Sequence, residues 1–251
     1  MYTRTYKVAE HVFTVCSQYP EIHRFCADYV TDEPSAFTIT PTAADIAYER
    51  QEWEKCVERG TTEPADASDG ALETLAVHRA LAERCTRDGY LLFHGSAIAV
   101  DGETYLFTAP SGTGKSTHTR LWRERFGDRA EMVNDDKPFL KITDSGVTVF
   151  GTPWNGKHRL GGNIARPLKA VILLERDTTD HIEPIDAREA FPVLFRQSYS
   201  PAEPVATAQV MRMLGQLCHH AALYRLGCTM RPEAAAVAYD GMNPKEGSAC
   251  D

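Results

Sequence analysis

The 251-residue chain has no apolar run long enough to span a bilayer and no apolar leader at its N-terminus. The expectation is therefore a cytoplasmic protein with no membrane partner. It has no C-x-x-C pair among Cys16, Cys26, Cys56, Cys85, Cys218, Cys228 and Cys250. An odd count without such pairs reads as reduced thiols, not as a disulfide framework. Cys218, His219, His220 and Cys228 lie close in sequence, but adjacent histidines on a helix point to different faces, which disfavours a zinc site. Excess positive charge is missing too. The net charge is −8, which argues against a nucleic-acid partner. Internal repeats and low-complexity tracts are absent.

What is present is uneven. Residues 1–90 carry 9 basic and 16 acidic side chains, whereas residues 111–170 carry 11 basic and 6 acidic. An acidic chain with a basic middle suits a small polyanionic ligand. A hydrophobic content of 43% is ordinary for a full core, and the length fits one large domain with an appendage.

Residues 1–60 read as a small N-terminal α+β region. "YTRTYKVA", "HVFTVCS" and "AFTIT" are strand-like, and Thr42 caps a helix over "AADIAYERQEWEKCVER". "GTTEPADASDG" has turn formers and no apolar anchor, so residues 61–70 read as a linker and residues 71–251 as the main domain. An amphipathic helix follows, stopped by Gly89. "YLLFHGSAIAV" and "ETYLFTA" are then β-rich runs joined by Asp101-Gly102, a strong hairpin turn. "AEMVNDD" is a strand ending in acids, "PFLKI" and "VTVFG" form a second hairpin, and "PLKAVILLER" is a buried strand. Helices near 186–199 and 202–220, a strand "ALYRLGC" and a helix from Pro232 complete the chain.

"LFTAPSGTGKST", residues 106–117, is the most informative stretch. The phosphate-loop pattern is G-x-x-x-x-G-K-[ST]. Ala109 replaces its first glycine, but Gly112, Gly114, Lys115 and Ser116 are in place. Glycines let successive N–H groups turn inward around an anion, and a helix beginning in the loop adds its dipole. Ser111, Gly112, Thr113, Gly114, Lys115, Ser116 and Thr117 are thus the candidate nucleotide cradle. Lys115 would reach the outer phosphates and the Ser116 hydroxyl a Mg²⁺ ion.

Three features stand in order: "HGSAI", "APSGTGKST" and "VNDD". Together they resemble the HPr kinase/phosphorylase family and, more distantly, ATP-dependent phosphoenolpyruvate carboxykinase. The likeness covers roughly residues 90–176. It implies an α/β P-loop domain with a mixed sheet, in which a histidine-bearing strand pairs with the strand entering the loop. It also implies ATP and Mg²⁺ as cofactors, His94 as the active-site histidine, and Asp135 and Asp136 as the paired acids. Adjacent carboxylates at a strand end can divide two tasks, holding metal and deprotonating a hydroxyl. Asp136 is assigned to the metal and Asp135 to the base, with the reverse left open.

"GTPWNGKHRLGGN", 151–163, looks like the mobile loop downstream of the acids in that family. Its Lys157 and Arg159 are candidate substrate contacts, closing over a transferring phosphate. The N-terminal region matches no part of the family pattern, its later glycine-rich element is not intact, and the carboxykinase's substrate arginines are not identifiable. The expected activity is transfer of the γ-phosphate of ATP to a hydroxyl, a serine of a protein or peptide. A small-molecule hydroxyl, the reverse phosphorylase reaction, or a nucleotide-binding regulator with little turnover stand as alternatives. Homo-oligomerisation is left open.

Overall fold

The alternating stretches at the N-terminus form a three-stranded sheet. Strand β1 (Tyr2–Val8) pairs antiparallel with β2 (His11–Ser17), and β3 (Phe37–Ile39) lies parallel to β2. The structure is a computed structural model and describes residues 1–59, 67–156 and 158–244. It divides into two compact units, Met1–Asp88 and Gly89–Asp251. Most of the expected 61–70 linker lies outside the described residues.

In the first unit a short helix α1 (Glu21–Phe25) precedes α2 (Ala43–Glu58), whose N-cap Thr42 forms a reciprocal capping box with Asp45. Helix α3 (Asp69–Arg87) starts inside the expected linker, capped by the Ser68 hydroxyl. Its Leu72, Ala76, Val77, Leu81 and Cys85 are buried at helical spacing. They pack α3 on this unit's own sheet and helices. The domain boundary therefore falls after α3 and not before it, a correction to the 71–251 expectation. Buried Glu73 accepts hydrogen bonds from the Gln18 and Tyr19 amides at 2.7 and 3.0 Å, which offsets the cost of burying its carboxylate.

His23 lies between the Tyr6 hydroxyl (2.6 Å) and the Ser17 hydroxyl (2.8 Å). Burial lowers its pKa, as it does that of His11. A histidine with a lowered folded-state pKa takes up a proton on unfolding, so its contribution to stability is present above the ordinary range near 6.5 and lost as pH falls below it. We expect the melting temperature of wild type to decline from about pH 6.5 downward. His23→Gln should flatten that slope, as read from melts across pH.

The second unit opens with β4 (Tyr90–Leu92), then β5 (Ser96–Val100) and β6 (Glu103–Thr108). The run "YLLFHGSAIAV" is thus two strands, broken at Phe93–Gly95. Helix α4 (Lys115–Phe126) follows, then β7 (Ala130–Asn134), β8 (Phe139–Thr143), β9 (Gly146–Phe150) and the long β10 (Ala165–Arg176). After β11 (His181–Pro184) come α5 (Ala187–Gln197), α6 (Pro204–His220), β12 (Ala222–Cys228) and α7 (Glu233–Met242). The sheet runs β4-β8-β9-β10-β6-β5-β7, with β12 pairing β10 and β11 pairing β12. It is mixed: β6, β10 and β12 are parallel, whereas β5 is antiparallel to β6 and to β7.

Strand β10 can join these parts because it is buried on both faces. Val171 and Leu173 face the core under α5 and α6, while Ala170, Ile172 and Leu174 face the core under α4 and α7. On the latter face fully buried Trp122 meets the rings of Tyr105, Phe107, Phe126 and Tyr239 at 4.8–5.7 Å. Such pairs contribute roughly 0.5–1.5 kcal/mol each beyond area burial. They fix α4, and with it the loop that α4 terminates. Among the described residues no helix is long and apolar enough to cross a membrane.

Candidate functional site

Three parallel strands end on one edge of the sheet, and the loop 109–114 springs from the end of β6 there. Gly114 holds φ +125°, a conformation that a side chain would strain, and begins α4. His118 N–H is bonded to Gly114 carbonyl at 2.9 Å, so the amides of the first turn, Lys115 to Thr117, have no intrahelical acceptor. Several loop carbonyls have side-chain donors. Arg176, the last residue of β10, donates to the carbonyls of Gly112 and Thr113, and the Thr113 hydroxyl donates to that of Pro110. Lys115 is buried and its Nζ donates to Ala109 and Pro110 carbonyls at 2.9 and 3.4 Å. Ser116 is exposed on the first turn, Thr117 is half-buried, and Ser111 is exposed at the loop tip. The start of α4, the buried Lys115 and the exposed Ser116 thus lie together at the end of β6.

Beside it, β7 ends at buried Asn134, whose side-chain oxygen accepts from the amides of Asp136 (2.8 Å) and Lys137 (2.7 Å). This tight turn presents both acids. Asp135 is 4% exposed, and its Oδ1 accepts from the Ser96 hydroxyl at 2.7 Å. Ser96 also bonds Thr119 of α4 at 3.0 Å, so β5, β7 and α4 meet at this carboxylate. Asp136 is half-buried, with Oδ1 3.4 Å from His94 Nε2 and 3.9 Å from Lys137 Nζ.

His94 sits in the break between β4 and β5, hydrogen-bonded on both sides. Phe93 and Gly95 donate to the carbonyls of Pro138 and Asp136, while the His94 amide donates to Gln197 carbonyl at 2.7 Å. The imidazole Nδ1 lies 2.7 Å from Gln197 Oε1. Burial, reinforced by Lys137 and Lys115, pulls the His94 pKa down to about 3, against the pull of Gln197. At 3.4 Å the Asp136 contact is longer than a strong hydrogen bond, and His94 is neutral near pH 7. Burial likewise lowers the Lys115 pKa, opposed first by Asp136 and also by Asp135. Burial raises that of Asp136, against Lys137 and Lys115. His94, Lys115, Asp135 and Asp136, though dispersed over 43 residues of sequence from His94 to Asp136, act electrostatically on one another.

The segment after β9 was expected to be a mobile loop with cationic contacts. Its first half is instead built into the acid turn. Buried Thr152 donates to Lys137 carbonyl, Asn134 Nδ2 donates to Thr152, and Asn155 Oδ1 accepts from the Asp135 amide at 3.2 Å. A Cβ on Gly156 would stand 3.0 Å from Asp135 Oδ2, so the Gly156 backbone packs closely against that carboxylate. Arg159 is exposed with φ +48°, and Lys157 lies outside the described residues. Asn134 lies within "VNDD" and Thr152 and Asn155 within 151–163, yet neither they nor Gln197 were singled out from the sequence. Gly151 is equally constrained, since its Cβ would meet the carbonyl oxygens of Gly162 at 1.7 Å and Val133 at 2.6 Å. Gly151→Ala should cost about 3 kcal/mol, the upper range for overpacking against unyielding neighbours, read as a lower urea midpoint.

A cavity of ≈ 560 Å³ opens between the loop residues Thr108–Thr113, the end of β10 and the C-terminal half of α5, reaching Arg196 and Gln197. It lies at the carboxyl ends of β6 and β10, where open α/β sheets place ligands. No protein-family model matches the chain, and no curated protein matches it.

Proposed function

We propose that this chain is an ATP- and Mg²⁺-dependent kinase of the HPr kinase-like kind, transferring a γ-phosphate to a hydroxyl of a protein or peptide serine. The observation that carries the reading is the convergence on one edge of a phosphate-loop lysine, two strand-end carboxylates and a half-buried histidine. A β-hairpin, not a βαβ unit, feeds the loop and brings His94 beside it, which supports the kinship drawn from the motifs.

The residues present fit both cofactors. Ser111 to Thr117 would hold the phosphates, and Ser116 with Asp136 would hold the metal, Asp136 being the carboxylate more open to solvent and the stronger influence on Lys115. When bound, MgATP supplies the phosphoryl group and screens its charge. Asp135 is the base. Ser96 and Asn155 hold its carboxylate and amide, and Oδ2 lies beside Gly156. A carboxylate fixed in this way is suited to accept a hydroxyl proton. Lys115, which donates to the loop carbonyls, would hold phosphate oxygens, a better partner for an ammonium.

Incubation with γ-labelled ATP and cell extract tests this. Label in protein supports the reading, and label in a small metabolite moves the acceptor to a sugar or free amino acid. Nucleotide binding without transfer or hydrolysis leaves a nucleotide-binding regulator and overturns the kinase.

A further inference from the structure

One wall of the ≈ 560 Å³ cavity is the first half of the phosphate loop, Thr108–Thr113. Its lining among the described residues includes none of Gly114–Thr117, where α4 begins. Lys115 Nζ bonds the carbonyls of Ala109 and Pro110 in that same first half. On the kinase reading Lys115 takes the outer phosphates, so the cavity adjoins the phosphate to be transferred, with the nucleoside toward the start of α4. The cavity also reaches His94. Thr108 and Gln197 both line it. The Thr108 hydroxyl donates to the His94 carbonyl at 2.9 Å, and Gln197 Oε1 lies 2.7 Å from His94 Nδ1. His94 in turn is 3.4 Å from Asp136. A molecule filling this cavity would therefore end beside the reacting groups.

Leu173, Leu174 and Val193 give the cavity an apolar portion. Three arginines also line it, and two are committed. Arg176 donates to the Gly112 and Thr113 carbonyls, and Arg225 pairs with Glu175, Glu183 and Glu189. Arg196, in the last turn of α5 and next to Gln197, has no hydrogen bond or ion pair among the described residues. Its guanidinium is a fork of N–H donors that fits a carboxylate. Glu175 and Glu189 on the cavity wall are already matched by Arg225, so one positive charge is left over, which suits a single anionic group. We propose that this cavity is the acceptor site, taking a hydroxyl-bearing acceptor by a carboxylate held on Arg196 and an apolar part held on Leu173, Leu174 and Val193. The role of the hydroxyl rests on the kinase reading, whereas the carboxylate site does not. That carboxylate can belong to an acidic residue flanking a serine in a peptide or to free serine itself.

The test supplies MgATP with short alanine–leucine peptides that carry one serine flanked by Glu, Gln or Lys, and separately with free L-serine. Transfer is read from labelled ATP, and binding from the fluorescence anisotropy of labelled peptide. Wild type is expected to favour the Glu peptide over the Gln peptide about tenfold, mainly in KM, the equivalent of one charge-assisted hydrogen bond. Arg196→Gln should remove that preference, and Arg196→Glu should turn it toward the Lys peptide. Arg196 is exposed, so both variants should fold. Transfer to L-serine and not to the peptides, weakened in the same way by Arg196→Gln, keeps the site and gives it a free amino acid. Transfer without a preference for Glu, or with one that survives in Arg196→Gln, overturns the proposal and leaves the kinase standing. Binding of the Glu peptide that requires Arg196, with no transfer to any acceptor, discards the kinase and keeps the carboxylate site. Neither binding nor transfer with any of these probes overturns the proposal.

Discussion

Asp135→Asn is expected to lower phosphoryl transfer by roughly 10²–10⁴, the span for losing a general base. The substitution keeps volume and the acceptor oxygen for the Ser96 hydroxyl, which donates at 2.7 Å, so the fold around β5, β7 and α4 should persist. Nucleotide affinity should change little, because the loop amides and Lys115 remain. Asp136→Asn should differ. Its carboxylate is the more exposed and acts more strongly on Lys115 than that of Asp135 does, so its loss should first raise the Mg²⁺ concentration needed for half-maximal turnover. A metal titration on each variant separates the two, with nucleotide hydrolysis as the readout if no acceptor is in hand. If the phenotypes appear exchanged, the roles of the two acids are exchanged and the kinase survives. Full turnover of both variants at limiting Mg²⁺ would make the pair a structural turn, and the regulator reading would replace the kinase.

Lys115→Ala should abolish the thermal stabilisation that MgATP confers on wild type. A ligand at 100 times its Kd stabilises by about 2.7 kcal/mol, which corresponds to a rise of several degrees in melting temperature. Lys115 is the one loop side chain whose ammonium is buried and shared between loop carbonyls and the acids. Its removal takes away the charge that balances the phosphates, and it leaves the Ala109 carbonyl without that donor. The unliganded protein should therefore melt slightly lower as well. The measurement is a melt with and without MgATP for each protein. An unchanged ligand-induced shift in the variant would refute the phosphate-loop assignment.

Arg176 bears on the same loop. It spans from the end of β10 to the carbonyls of Gly112 and Thr113, and no motif contains it. The Asn155 contact with the Asp135 amide joins positions 20 apart, and Gln197 reaches His94 across 103. These partners position the groups that the motifs supply. The stretch 151–163 shows how such a partner is misread. Its glycines look like pivots in sequence, yet Gly151 and Gly156 are required because carbonyl and carboxylate oxygens approach them closely.

The amino-acid sequence by itself determined the local pieces: the strand–loop–helix around Lys115, the turn at Asp101-Gly102 with φ of +53° and +86°, and the Thr42 cap. Each is set within a few residues by backbone conformation and short-range hydrogen bonds. Only the tertiary structure decided that the run from Tyr90 to Val100 breaks at His94, because β4 finds β8 and β5 finds β6. It also decided that α3 belongs with the first unit, since an amphipathic helix specifies its apolar face but not which surface will cover it. Strand β11 escaped notice for a related reason. It is an exposed edge of four residues ending in Pro184 and acquires its conformation only by pairing with β12. Contacts between distant positions depend on which surfaces meet on folding, and one-dimensional spacing does not record that.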